Sequence, residues 1–272
     1  MTAESRARVC LLTGATQGIG RAAAEALVPM GVELVLVARD RARLEALATE
    51  LRARTPGAKV SLLVGDLSRM SEVRRVAADF RAAHKRLHLL LNNAGGLFAH
   101  REVTPEGLER TLALNHLAYF VLTEELLPVL RASAPARIVN VSSDAHRGMR
   151  VDLDDLNYAR GKYRPFVAYG RSKLCNILFS CELEERLKGS GVIATCLQCG
   201  GLTELMWRLM KPFMASPEKG AETSLFLATT PDPTPFHRGY VIGKSLVRPD
   251  PAALDSNLAR SLWNESARLV GL

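Results

Sequence analysis

Val9-Cys10-Leu11-Leu12-Thr13-Gly14-Ala15-Thr16-Gln17-Gly18-Ile19-Gly20 is a strand-length apolar run that breaks into three glycines, and an Ala-rich helical pattern, Arg21 to Val28, follows at once. Glycine at a strand-to-helix turn lets the backbone approach a ligand closely. The helix N-terminus beyond it offers unpaired N–H groups and the positive end of the helix dipole. The stretch therefore predicts a strand–turn–helix unit that cradles a dinucleotide pyrophosphate. Its spacing is GxxxGxG and not GxGxxG, and Arg21 after Gly20, where Lys and then Ser or Thr would be needed, excludes a Walker A loop.

Working outward, apolar runs of the same kind recur at Val32–Ala38, Val60–Val64, Leu87–Leu91, Ile138–Val141, Val192–Leu197 and Tyr240–Ile242, alternating with helical patterns. Near-continuous Val, Ile and Leu marks parallel strands buried on both faces. Seven such strands separated by helices predict an α/β fold of the Rossmann type: a doubly wound, parallel, seven-stranded sheet with helices on both faces. Thr104-Pro105, Ser216-Pro217 and Asp250-Pro251 each pair a capping residue with Pro at a first helical position, so each is expected to open a helix. Gly31 is expected to end the first helix in a left-handed cap, and Pro29 and Pro128 to fall in last helical turns. There is no repeat or linker, so residues 1–272 are expected to form a single domain, with the cofactor half at about 8–145.

Composition narrows the classes. A chain of 272 residues that is 47% hydrophobic has enough core to fold without disulfides or metals. Five cysteines at irregular spacing fit reduced thiols. No apolar run reaches membrane-span length, and Met1 to Ala7 shows no signal-peptide pattern, so a cytoplasmic protein with no stable membrane anchor is expected. The formal charge is +8, but 28 of the 36 basic residues are Arg spread along the whole chain with no run of four. Nucleic-acid binding needs clustered charge, so no nucleic-acid partner is expected. The six His residues show no ligand spacing, and no metal is expected.

At the tip of the second strand an acidic residue would accept from the 2′-OH of NAD, whereas Arg accommodates the 2′-phosphate of NADP. The chain reads Val37-Ala38-Arg39-Asp40-Arg41, with Arg43 beyond, so Arg39 favours NADP(H), supported by Arg43 or Arg21, while Asp40 leaves room for NAD. Asp66, followed by Leu67, and Asn92-Asn93-Ala94-Gly95 also sit at carboxyl ends of strands, where open α/β sheets bind ligands. Tyr169 and Lys173 lie four residues apart on a helical pattern and share a face. A cation beside a phenol favours phenolate, which suits Tyr169 to general acid/base work.

These residues together resemble the short-chain dehydrogenase/reductase family over residues 8–245. The resemblance rests on TGATQGIG, Asn92-Asn93-Ala94-Gly95, Asn115 after a helical Leu-Ala-Leu, Ser142-Ser143 after a strand, and Tyr169-Gly-Arg-Ser-Lys173. Within that family, Ile138 to His146, the long gap before Tyr169 and the C-terminal Leu262-Trp263 are similar to the retinol dehydrogenase-like branch. The resemblance implies a catalytic set of Asn115, Ser143, Tyr169 and Lys173. It also implies an NADP(H) site drawn from Gly14, Thr16, Gln17, Gly18, Ile19, Gly20, Arg39, Asp66, Leu67, Asn93, Ala94, Gly95, Tyr169, Lys173 and Thr203. The implied activity is NADP(H)-dependent interconversion of an alcohol with a ketone or aldehyde on a bulky lipophilic small molecule. Ser143 would hydrogen-bond the reacting oxygen, Lys173 hold the nicotinamide ribose and Asn115 place a relay water. The family commonly pairs through the helices carrying Asn115 and Tyr169, implying a homodimer or homotetramer.

The chain departs from that pattern at Cys199-Gly200-Gly201, where the family has Pro-Gly and a branched residue. Glycine adds backbone options that proline would remove. A redox-neutral catalyst such as a cyclase or epimerase, or a non-catalytic NADP-binding protein, is therefore the alternative reading. Cys196-Leu-Gln-Cys199 mimics a redox CxxC but straddles a strand end and does not open a helix, which argues against thiol chemistry. The Met- and aromatic-rich stretch within about 202–216 is expected to be the substrate lid, with residues 148–167 as the opposite rim.

Overall fold

The computed structural model describes residues 8–198, 216–237 and 239–272. Strand β1 (Val9–Thr13) is buried along its whole length, because alternate side chains enter two different cores. Val9 and Leu11 join the cluster built on Phe80, Phe120 and Phe179, while Cys10 and Leu12 join the cluster built on Ala23, Leu27 and Leu47. A strand that must be apolar on both faces reads as a continuous hydrophobic run, and that is how β1 reads.

The remaining strands are β2 (Glu33–Ala38), β3 (Val60–Val64), β4 (Leu89–Asn92), β5 (Ala136–Ser142), β6 (Val192–Gln198), β7 (Tyr240–Ile242) and β8 (Ser245–Leu246). They form one sheet in the order β3-β2-β1-β4-β5-β6-β7-β8. Every pairing is parallel except the last, β7 with β8. The expected seven parallel strands are thus present, and the structure adds an eighth: a two-residue antiparallel edge, Ser245–Leu246, too short to leave a periodic signal. Order reverses between β1 and β4, so the crevice at their carboxyl ends is the topological switch point, where ligands bind in such sheets.

One helical layer carries α1 (Gly18–Leu27), α2 (Arg41–Arg54) and α7 (Pro217–Thr229). The other carries α3 (Met70–Ala83), α5 (Ala118–Ala132), α6 (Pro165–Leu187) and α8 (Ser256–Val270). Gly31 adopts φ +75° after a short 3-10 turn that contains Pro29, and Ser216 caps α7 by accepting from Lys219 N, both as expected. Pro128 lies inside α5, one turn before its end.

Thr104-Pro105 opens no helix. It turns a small hairpin bridged at Val103 and Glu109, and the single turn α4 (Arg110–Leu112) is capped instead by the buried Glu109 carboxylate, which accepts from Thr111 N and Leu112 N. Asp250 caps a 3-10 turn, Pro251–Leu254, and Asp255 caps α8. Between α4 and α5 the chain forms a π-helical turn, Ala113–Leu117, with Asn115 at its centre.

Helix α8 fills the groove between α5 and α6, the two helices through which pairing was expected. Trp263 meets Phe120 edge-on at 4.9 Å and stacks on Phe179 at 5.6 Å, with the Arg186 guanidinium 4.2 Å above its ring. Beneath this cluster His116 is fully buried, and burial pushes its imidazole down to about 4. The folded chain therefore keeps His116 neutral, whereas the unfolded chain protonates it near pH 6.5. Stability contributed by the neutral ring is complete above pH 6.5 and is lost as pH falls towards 4. Buried His146 and half-buried His88 are shifted in the same direction by burial. Urea unfolding at pH 7.0 and 4.5 is expected to differ by about 2–3 kcal/mol from His116 alone. A His116→Asn variant should lose most of that difference, and an unchanged pH dependence in the variant would refute the assignment.

Candidate active site

The Gly-rich turn closes against the end of β4 with no room for side chains. A Cβ on Gly20 would lie 2.3 Å from the Gly14 carbonyl oxygen, and one on Gly14, at φ +70°, would lie 2.8 Å from Ala94 Cα. Asn93 and Thr13 fasten the two segments. Asn93 Nδ2 donates to the carbonyls of Thr13 and Gly14, and Thr13 Oγ1 accepts from the backbone N–H groups of Asn93 and Ala94. The amide nitrogen of Asn93 thus holds the turn. Gly18, at φ +55°, differs: nothing lies within 4 Å of its Cβ position. Open space at a positive-φ glycine, at the N-terminus of α1, fits a pyrophosphate.

Beyond this turn, Arg39 immediately follows β2, and Asp66 follows β3 closely enough for the Arg39 charge to act on it. Partial burial of Asp66 works against its ionisation. Its two hydrogen bonds from Ser68, with Arg110 and Arg39 nearby, outweigh that and hold it below the usual carboxylate range. Arg43 Nη1 donates to Gln17 Oε1 at 3.2 Å, which brings it to the edge of the Gly-rich turn. Arg21 is turned away, paired with Glu25 and Glu50. Asp40 caps α2 by accepting from Arg43 N.

The second half of the site stands where β4, β5 and α6 meet. Asn115 grips the backbone after Gly95: its Oδ1 accepts from Gly96 N at 2.8 Å, and its Nδ2 donates to Gly96 O and Ser172 Oγ, each at 2.9 Å. A Cβ on Gly95 would lie 3.2 Å from Asn115 Oδ1 and 3.5 Å from Lys173 Nζ, so glycine lets the backbone run close past these two buried groups. Lys173 is only 2% exposed. Its Nζ donates to Val141 O at 3.0 Å and stands 5.6 Å from the Tyr169 ring centroid. The two adjacent serines do different things: Ser142 Oγ donates to the backbone carbonyl of Lys173, and Ser143 accepts from Ala145 N. Asn115, Ser143, Tyr169 and Lys173 are thereby gathered at the carboxyl ends of β4 and β5, beside the Gly-rich turn. Leu67 is buried against α3, in the same cluster as Ala94. Cys199, Gly200, Gly201, Thr203 and the expected lid at about 202–216, apart from Ser216, lie outside the described residues. Cys196 is buried, which pushes its thiol up to about 12, the reverse of a redox thiol.

Residues 8–212 match the short chain dehydrogenase family. The chain belongs to that family. Retinol dehydrogenase 12 of Mus musculus is 37% identical over 97% of this chain and 87% of its own length, which sets this short chain dehydrogenase in the retinol dehydrogenase-like branch. An uncharacterised protein from Mycobacterium paratuberculosis superposes with a TM-score of 0.82 at 32% identity, covering 97% of this chain and 93% of that one. A metagenomic short-chain oxidoreductase solved in complex with NADP matches with a TM-score of 0.65 at 27% identity, over 89% of this chain and 97% of that one. This short chain dehydrogenase is thus an oxidoreductase by family, and a nicotinamide cofactor fits its Gly-rich cradle.

Two residues at the site, both inside stretches that carry the family resemblance, were given no role of their own from sequence. His146, buried, receives Asp250 N on Nε2 at 3.1 Å and lies 2.7 Å from Ser143 O through Nδ1. Since Nε2 accepts, Nδ1 must carry the hydrogen, so His146 straps the Ser143 turn to the C-terminal segment. Its only signal was a histidine three residues after Ser143. Gly170, inside the Tyr-to-Lys stretch, packs against that same turn, and a Cβ there would lie 2.5 Å from Ala145 O and 2.8 Å from Met149 Cγ. A Gly170→Ala variant of this short chain dehydrogenase must push the Ser143 turn away from Tyr169. It is expected to lose about 10²-fold in turnover, and to lose Tm as well. A variant with wild-type turnover would show that the turn relocates at no cost.

Proposed function

We propose that the chain is an NADP(H)-dependent oxidoreductase that interconverts an alcohol and a ketone or aldehyde on a bulky lipophilic substrate, with Tyr169 as general acid/base. The observation that carries this reading is the buried Tyr169–Lys173 pair standing beside the bare backbone of Gly95. A bound nicotinamide supplies hydride to the substrate carbon. In reduction, Tyr169 gives its hydroxyl proton to the carbonyl oxygen, and the Lys173 ammonium stabilises the phenolate that remains. Ser143 donates to the same oxygen, its own acceptor role being met by Ala145 N. Asn115 fixes the backbone of Gly96, and with it the floor beneath the reacting groups.

Three features support NADP(H) over NAD(H). Arg39 follows β2 exposed, Arg43 is drawn to the Gly-rich turn by Gln17, and Asp40 is engaged in capping α2. The neighbour solved with NADP and the retinol dehydrogenase relative support the cofactor and the lipophilic substrate respectively. Phe98 and Leu114 lie within 4 Å of the Cβ position of Gly96, so apolar groups stand beside the backbone that Asn115 holds.

The test is NADPH consumption with a panel of lipophilic aldehydes and ketones. Tyr169→Phe is expected to lower turnover by about 10²–10⁴-fold while NADPH still binds. Product formed without any change in NADPH absorbance would overturn the reading in favour of redox-neutral chemistry. Arg39→Ala is expected to raise KM for NADPH by about 10- to 100-fold, the worth of a charge-assisted hydrogen bond, with KM for NADH unchanged. Equal effects on the two cofactors would remove Arg39 from the 2′-phosphate site.

A further inference from the structure

Asn176 lies one helical turn beyond Lys173 on α6, and His116 follows Asn115 in the π-helical turn. Asn176 Nδ2 donates to two backbone carbonyls, Asn115 O at 2.9 Å and Val141 O at 3.2 Å. Val141 O is the same oxygen that receives Lys173 Nζ at 3.0 Å. The orientation of the amide follows from its partners. Turned over, it would set Oδ1 against two carbonyl oxygens, so both N–H bonds of Asn176 are committed and Oδ1 must accept. His116 Nδ1, 3.3 Å away, is then the donor, and Nε2 must accept from Ser266 Oγ at 2.9 Å on α8. Asn115, His116, Asn176 and Ser266 have no exposed surface, so water does not substitute for any of these bonds.

We propose that Asn176 is a positioning residue for Lys173 and Asn115, held in register by a buried chain of hydrogen bonds through His116 to Ser266 of the C-terminal helix. Asn176 fixes the carbonyl that holds the ammonium and, at the same time, the backbone of the turn that carries Asn115. A π-helical turn departs from the regular i→i+4 ladder, and here one of its carbonyls is met by a side-chain donor. The C-terminal helix thus reaches the active site through polar groups as well as through the packing of Trp263. The inference rests on the reading of Lys173 and Asn115 as active-site groups.

The experiment uses the full chain and compares Asn176→Ala, Ser266→Ala, Ser266→Thr and Leu262→Ala. Tm, NADPH Kd by fluorescence, and kcat and KM on the best aldehyde are measured for each. Leu262 is buried on the same helix and makes no hydrogen bond through its side chain, so its truncation reports what a purely structural defect in α8 does. Asn176→Ala is expected to lower kcat by about 10-fold or more and Ser266→Ala by about 3-fold, both with weakened NADPH binding, as small displacements of catalytic groups do. Ser266→Thr, which keeps the hydroxyl, should restore both values. Leu262→Ala should lower Tm at least as far while kcat and Kd stay within about 2-fold of wild type. If the Asn176 and Ser266 variants lose Tm alone, the proposal is overturned; if Asn176→Ala does not fold, Ser266→Ala and its Thr rescue decide. A wild-type chain that binds NADPH without turnover would refute the proposed reaction and leave the Kd comparison to decide the inference. A chain that binds no NADPH would refute both.

Discussion

The structure depends on one steric constraint: at Gly14 the backbone of the Gly-rich turn touches that of Ala94 after β4, while Gly20 packs onto the Gly14 carbonyl and the Asn93 side chain. A single methyl group on Gly20 would come within 2.3 Å of a carbonyl oxygen. Only glycine permits that approach, and only the approach lets Asn93 and Thr13 bond across it. The switch-point crevice is where two halves of the sheet diverge, and it is open by topology. Closing its floor with backbone alone leaves the upper edge, at Gly18, clear for a ligand. Everything downstream takes its position from this floor: Asn92 starts the turn to Gly95, Gly95 brings the backbone close to Asn115 and Lys173, and Asn115 holds Gly96.

The second constraint is electrostatic. An ammonium buried as deeply as that of Lys173 costs several kcal/mol unless it is paired and hydrogen-bonded. Val141 O and the faces of Tyr119 and Tyr169 surround it. Carbonyl and aromatic partners stabilise a cation, which is the setting that the proposed phenolate at Tyr169 calls for.

Much of this was legible in the sequence, because β1, the glycine spacing and the four-residue step from Tyr169 to Lys173 are local patterns. Gly31 and Ser216 were legible for the same reason. What was not legible required knowledge of which residues meet across the fold. Thr104-Pro105 has the composition of a helix start, yet the cap is the carboxylate of Glu109, which accepts from the Tyr163 hydroxyl while Glu109 N donates to Asn157 Oδ1, both from a segment about 50 residues away. Asn93 reads as a ligand group, and its amide nitrogen also fastens the Gly-rich turn, a bond that sequence does not announce. Arg21 reads as a phosphate partner until Glu25 and Glu50 are found beside it. Ser142 and Ser143 differ only in which way the strand end points them. In each case residue type was informative and direction was not, since side-chain direction is set by partners distant in sequence.

The same reasoning explains why so many polar groups lie beneath the site in a layer where the sheet is otherwise aliphatic. Asn92 Nδ2 donates to Asn140 Oδ1, Asn140 Nδ2 to Ser180 Oγ, and Ser180 Oγ to the carbonyl of Asn176. Leucine at these positions would satisfy the core equally well in volume, and buried polar groups are costly wherever one partner is missing. Their value is directional. An apolar contact tolerates small rotations of α6 against β4 and β5, whereas a chain of hydrogen bonds permits one register. Tyr169, Lys173 and Asn176 all ride on α6, so a slip of that helix by a fraction of a turn would misalign the three together. The row of amides and hydroxyls from Asn92 to Ser266 fixes the helix of the proposed catalytic pair against the strands that lead into the Gly-rich turn and its partner segment.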